Sequence, residues 1–222
     1  MSNRIMKVLK GGLIMQWTRN INLAFIILSL FFTFELHAKN TIIIVRHGQG
    51  EHNIGNFYNA DMSHANYRIS NLTDKGRKEA LNAARKLDSF GYAGKIDLVF
   101  VSPLPRTIQT AKIISSYGIY DSSLEIIEPR LVEVKTGNRE GLPHEDGKDS
   151  WDHSDGRSHG GETGDDVRER VGDLLNELSS KYENMNILLV THGTPASELI
   201  SLVSKVSDVR LKTAEIKFLD IS

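Results

Sequence analysis

Thr41-Ile42-Ile43-Ile44-Val45 runs straight into Arg46-His47-Gly48-Gln49-Gly50-Glu51-His52-Asn53, and the reading of that junction decides the fold. Four branched apolar residues in a row leave no polar alternate for a solvent-facing side. Such a strand is covered on both faces, as in parallel sheets. Ile96–Val101 (IDLVFV) and Ile187–Val190 (ILLV) read the same way. Leu124–Ile127 is a short strand, and Glu215–Ile221 alternates weakly, as an edge strand does. Helices fall between them. Thr73 to Phe90 starts at an N-capping Thr73 and repeats Ala80, Leu81, Ala84 and Leu87 at helical spacing. Arg106 to Ser116 follows Pro103 and Pro105, at a helix start where proline is tolerated. Thr163 to Tyr182 carries Val167, Val171, Leu174, Leu175 and Leu178 on one face, with Asp165 and Asp166 in its first turn. A last helix runs from about Pro195 to Val203. This alternation predicts an α/β fold, a three-layer α/β/α sandwich around a mostly parallel central sheet.

Composition narrows the chemistry. The chain has 222 residues, 27 Lys+Arg against 28 Asp+Glu, 8 His and no Cys. With 40% hydrophobic and 25% charged residues it is ordinary globular protein. A net charge of −1 gives no footprint for nucleic acid. Without cysteine there is no thiolate nucleophile, disulfide framework, iron–sulfur cluster or zinc ribbon.

Ile21–Phe34 is an uncharged apolar run, preceded by Arg19 and followed by Glu35-Leu36-His37-Ala38. It is shorter than the roughly 20 residues of a membrane span. It fits the apolar middle of a secretory signal peptide, with Arg19 as basic flank and Ala38 as the small residue before the cut. Leu36 is larger than the residue usual two positions earlier, and Met15 begins a leader of more usual length. An uncleaved anchor or a buried core helix are the alternatives. Residues 1–38 are thus expected to be a signal peptide or N-terminal anchor, and 39–222 a single domain. The leader holds Arg4, Lys7, Lys10 and Arg19 against Glu35, so the remainder carries 23 basic and 27 acidic side chains. The expected location is secreted or periplasmic, with membrane contact only through an uncleaved leader.

In open α/β sheets ligands bind beyond the carboxyl ends of the strands. After Val45 come Arg46 and His47. After Val101 comes Ser102-Pro103-Leu104-Pro105-Arg106, and after Val190 comes Thr191-His192-Gly193. Three strand ends therefore deliver two histidines and two arginines. Each alone reads equally well as a structural histidine or a solvated charge; their shared placement is what points to a site. Guanidiniums match phosphate oxygens with planar forks and stay charged. An imidazole beside them is pushed to its neutral, nucleophilic form. The set suits making and breaking a phosphohistidine, with arginine supplying the charge and no metal or other cofactor called for.

Five motifs in order carry a resemblance: RHGQGEHN at 46–53, LTDKGRKEA at 72–80, SPLPRTIQTA at 102–111, GETGDDVRERV at 161–171 and VTHG at 190–193. Together they resemble the histidine phosphatase superfamily, the phosphoglycerate-mutase-like group, over nearly all of 41–222. The resemblance implies that His47 is the phosphorylated nucleophile and that Arg46, Arg106 and His192 complete the phosphate pocket. It implies that Asn53 contacts phosphate. It also implies a general acid, Glu133 in Pro129-Arg130-Leu131-Val132-Glu133, with Glu140, Glu145 and Asp146 as rivals. A carboxyl group beside a phosphate dianion holds its proton to higher pH and can donate it near neutrality.

Val134 to Gly160 is long and polar, with Trp151 as its bulkiest apolar residue, and is expected to form the lid that selects the leaving group. His144, His153 and His159 within it match no metal-ligand spacing. Lys135 and Arg139 are read either as contacts for further substrate charge or as solvated. Tyr58–Tyr67 is read as a second rim. The expectation is an exported, metal-independent phosphatase of small-molecule or surface-linked phosphomonoesters. A phosphoglycerate-mutase-type phosphotransferase and a non-catalytic phosphoryl-binding module are the alternatives. The segment around Glu133 lacks the fuller mutase wording, in which an Asn precedes the Glu and aromatic and basic residues follow.

Overall fold

The computed structural model describes residues 39–144, 156–207 and 209–221. Strands β1 (Asn40–Arg46), β2 (Leu98–Val101), β3 (Glu125–Ile127), β4 (Asn186–Thr191) and β5 (Ile216–Ile221) form one sheet in the order β3-β2-β4-β1-β5. All pairings are parallel except β1 with β5, so the weakly alternating last strand is an antiparallel edge.

Side-chain alternation on β1 splits the core into two layers. Ile42 and Ile44 pack with Leu189 against α4 (Gly164–Lys181) and α5 (Gly193–Ser204). Ile43 and Val45 pack with Leu188 and Val190 against α2 (Asp74–Ser89) and α3 (Pro105–Ser116). All four β1 side chains have no exposure. Burying each contributes about 1.5–3 kcal/mol. A run with no polar alternate is what a strand sandwiched between two helical layers requires.

Boundaries differ where local chemistry ends a ladder. Ile96 is buried in the core, yet pairing starts only at Leu98 opposite Ile187. Leu124 closes a 3-10 turn capped by Asp121, and the β3 ladder begins at Glu125. The short α1 (Glu51–Gly55) was not expected, because five residues are too few to show a helical period.

The loop after β1 is held from two sides. Gln49 N–H donates to Glu79 on α2 at 2.8 Å, and Gly48 N–H donates to Thr110 on α3 at 3.1 Å. Thr73 caps α2 through Gly76 N–H, and its own N–H donates to the Gln49 carbonyl at 2.9 Å. A Cβ on Gly48 would meet the Gly76 carbonyl oxygen at 2.3 Å, and one on Gly76 would meet the Gln49 carbonyl oxygen at 2.1 Å. The 72–80 motif is therefore a clamp in which two backbones touch and only glycine fits.

Candidate active site

Arg46 lies opposite Thr191, and Val101 opposite Val190, so β1, β2 and β4 end at one level. His47, Ser102 and His192 each follow there by one residue, and Arg106 enters from the first turn of α3.

His47 is 1% exposed. Its Nδ1 lies 2.7 Å from the Gly48 carbonyl oxygen, which only accepts, so Nδ1 carries the proton and Nε2 the lone pair. Arg106 Nε–H donates to that Nε2 at 3.2 Å. Burial, and after it the charges of Arg106 and Arg46, hold the imidazole well below its ordinary range. The neutral form expected from the neighbouring guanidiniums is thus favoured, with desolvation as the larger cause.

Arg106 has no exposure, yet no carboxylate among the described residues pairs with it. Its two terminal nitrogens donate to Asn59 Oδ1 at 2.7 Å and to the Asn59 carbonyl at 2.8 Å. Neutral acceptors fix the fork without neutralising it, and burial pulls its pKa down to about 10. Arg46 donates from one terminal nitrogen to the Leu211 carbonyl at 2.7 Å, while its buried Nε has no partner among the described residues. His192 is fully buried with its ring 5.0 Å from that of His47. Its Nε2 is 2.7 Å from Ser102 Oγ and its Nδ1 has no partner among the described residues. Asn53 Oδ1 accepts from Gly50 N–H at 2.9 Å, and its amide nitrogen meets His52 Nε2 at 2.9 Å. Arg46, Asn53, Arg106 and Glu133 line a pocket of about 110 Å³; His47 and His192 do not line it, although Arg106, bonded to His47, and Gly193, next to His192, do.

The histidine phosphatase superfamily (branch 1) pattern matches residues 42–221. The chain belongs to this superfamily. It is 28% identical over 189 residues to the 2,3-bisphosphoglycerate-dependent phosphoglycerate mutase of Bartonella bacilliformis, covering 80% of this chain and 88% of that one. The Bartonella henselae enzyme of that name is 33% identical over 114 residues, about half of each chain (51%). Among solved structures, mycobacterial glucosyl-3-phosphoglycerate phosphatase in complex with VO3 superposes with a TM-score of 0.63 at 23% identity. That match covers 80% of this chain and 91% of the other, and shows the shared fold.

In this histidine phosphatase superfamily member, Glu133 follows the 3-10 turn Pro129–Leu131 and crosses to the start of α5. One oxygen accepts from Gly193 N–H at 3.0 Å; the other accepts from Val134 N–H at 2.9 Å and Thr194 N–H at 3.3 Å. Three amides thus hold the carboxyl group in the pocket. Its rival Glu140 is fully buried and does not line that pocket: both its oxygens face Ala60 N–H, at 3.0 and 3.1 Å. Burial pushes it up, and it braces the 57–60 segment. Glu145, Asp146, Trp151 and His153 lie outside the described residues.

The two described histidines of the polar segment, His144 and His159, do not gather. His144 lines the pocket with its ring 4.3 Å from that of Tyr58, whereas His159 contacts Arg139 and Asn138. Neither Lys135 nor Arg139 lines the pocket. Of the second rim, only Tyr58, Asn59 and Ala60 do.

Several pocket residues escaped the sequence reading. His52 is 8% exposed, bonded to Ser70 Oγ at 2.9 Å, and held well below the ordinary imidazole range by burial first and then by Arg106. It stands inside the first motif, so position was a signal left unused. Asn59 and Arg210 lie in irregular segments with no pattern to mark them.

Proposed function

We propose that this chain is a metal-independent phosphatase that hydrolyses phosphomonoesters through a phosphohistidine on His47. The observation that carries the reading is the His47 tautomer: a proton fixed on Nδ1 by the Gly48 carbonyl and a lone pair on Nε2 beside a guanidinium. Nε2 attacks phosphorus, the P–O ester bond breaks, and Glu133 gives its proton to the departing oxygen. Water then attacks the phosphohistidine, Glu133 takes back a proton, and the N–P bond breaks to free phosphate. Arg46 and Arg106 stabilise the equatorial oxygens in both steps. A Ser102 hydroxyl that donates to His192 Nε2 leaves Nδ1–H for the same oxygens.

Leaving-group dependence tests the acid. On the first turnover, Glu133→Gln should slow an alkyl phosphate by about 10²–10⁴-fold. It should barely change p-nitrophenyl phosphate, whose leaving group scarcely needs a proton. Equal losses on both esters would move the acid role to another residue. Relatives named as mutases favour a second reading, transfer within the substrate. Following phosphoglycerate isomers with a free-phosphate assay separates the two, since a transferase interconverts isomers without releasing phosphate to water.

Export is part of the proposal, supported by the apolar run Ile21–Phe34 between Arg19 and Ala38. Mass spectrometry of the native protein should find a mature chain beginning near residue 39 outside the cytoplasm. A full-length chain in the membrane fraction would mean an anchor, and one in the cytosol would overturn export.

A further inference from the structure

One pocket histidine has no part in the chemistry above. His52, on α1, lines the pocket with its ring 5.5 Å from that of His47, and both its ring nitrogens are engaged. The partners fix the direction of each bond. Gly50 N–H can only donate, so the Asn53 atom 2.9 Å away is the amide oxygen. The Asn53 amide nitrogen therefore faces His52 Nε2, also at 2.9 Å, and that ring nitrogen must accept. Burial favours the neutral ring, which has a single N–H. That N–H is on Nδ1 and donates to Ser70 Oγ at 2.9 Å. The relay has little room to shift. Ser70 has no exposure, and its Oγ also accepts from the backbone N–H of His52 at 3.0 Å. Glu51 N–H donates to the Asn71 carbonyl at 2.9 Å and Gly50 bridges to Leu72, which pins the 70–72 backbone to the start of α1. A Cβ on Gly50 would stand 2.7 Å from His52 Nδ1, so the ring rests against bare backbone there.

Asn53 has two amide hydrogens. One goes to His52 Nε2; the other makes no hydrogen bond among the described residues, and Asn53 lines the pocket. Without His52, Gly50 N–H would hold the amide by its oxygen alone, and the NH2 end could swing about that bond. We propose that His52 is a positioning residue for the phosphoryl group: it takes one Asn53 amide hydrogen, with Ser70 braced behind it, so that the other is presented to a phosphate oxygen. The inference rests on the phosphatase reading of the pocket and on Asn53 as one of its phosphate contacts.

Two replacements separate the ring's nitrogens, since an asparagine reaches the place of Nδ1 and a glutamine the place of Nε2. Calorimetry with inorganic phosphate on the full chain near neutral pH reads their effect apart from turnover. His52→Asn keeps the Ser70 contact and should weaken phosphate about tenfold, the scale of one hydrogen bond to an anion. His52→Gln keeps an acceptor for Asn53 and should recover most of that loss. Asn53→Ala should also cost about tenfold, and adding His52→Asn to it should cost no more, because the ring acts through that amide. A histidine that only braced the fold would tolerate asparagine at least as well as glutamine, and its loss would add to that of Asn53→Ala, reaching about a hundredfold. Glutamine no better than asparagine, additive losses, or an Asn53→Ala that binds like wild type would each overturn the positioning role, while phosphate binding by the wild type leaves the phosphatase pocket standing. A wild type that binds no phosphate overturns the pocket, and this role with it.

Discussion

His47→Ala is expected to lower phosphoester turnover by about five orders of magnitude, the scale seen when a catalytic nucleophile is removed, while the chain still folds. The residue sits at a strand end, outside the two apolar layers, and the space it leaves is walled by Arg106, His52 and His192. Water can fill a space with that many polar partners. A second readout separates loss of the nucleophile from loss of structure. His47, His52 and His192 are all held well below the imidazole's ordinary 6.5 by burial, so the fold binds fewer protons than the unfolded chain just below that pH. Their contribution is complete above about 6.5 and is lost as the pH falls through it. Each such group steepens the loss by up to about 1.4 kcal/mol per pH unit. Urea unfolding between pH 5 and 7 should therefore show a shallower slope in His47→Ala than in the wild type, by up to about 1.4 kcal/mol per pH unit. Turnover within a hundredfold of wild type would move the nucleophile elsewhere. An unchanged slope would mean that His47 is charged in the fold.

The sequence exposes what depends on neighbours along the chain and hides what depends on neighbours across it. Ile42 to Val45 announce a doubly covered strand because burial on two faces leaves no polar alternate, and the residue after each such strand is then placed by topology alone. Arg46, His47 and His192 are legible for that reason, and Arg106 because Pro105 marks the helix that starts beside it. Asn59 is different. It reaches Arg106 because Glu140 accepts Ala60 N–H, Tyr58 N–H donates to the Leu142 carbonyl and Gly141 N–H donates to the Tyr58 carbonyl, contacts 80 or more residues apart in the chain. Glu133 shows an intermediate case. Its motif marked the residue, but its hold on Gly193 and Thr194 exists only once α5 is docked beside the Pro129–Leu131 turn. Arg210 needed the fastening of Leu211 to Arg46, which no period or cap announces.

Arg106→Met should cost activity about a thousandfold and stability almost nothing, an unusual pairing for the largest fully buried side chain among the described residues. Activity falls because a fixed donor pair aimed at developing charge is lost, typically about 10²–10³ in turnover, and ground-state phosphate affinity falls with it. Stability follows from two opposing terms. The drop of the guanidinium pKa from its ordinary 12.5 to about 10 means the fold disfavours this charge by about 3 kcal/mol. For a base lowered in this way the penalty is present below about pH 10 and fades only as the pH rises toward 12.5. Methionine removes the penalty and fills much of the volume. Against this, the two Asn59 acceptors lose their partner, at about 1–3 kcal/mol each when left dry. These terms nearly cancel. A buried arginine that served structure through an ion pair would instead cost about 3–5 kcal/mol when removed. Chemical denaturation at pH 7, read beside phosphate binding, decides between them. A loss of that size would make Arg106 a structural brace, whereas near-wild-type stability with phosphate affinity gone means that the fold carries an unneutralised charge for the ligand's sake.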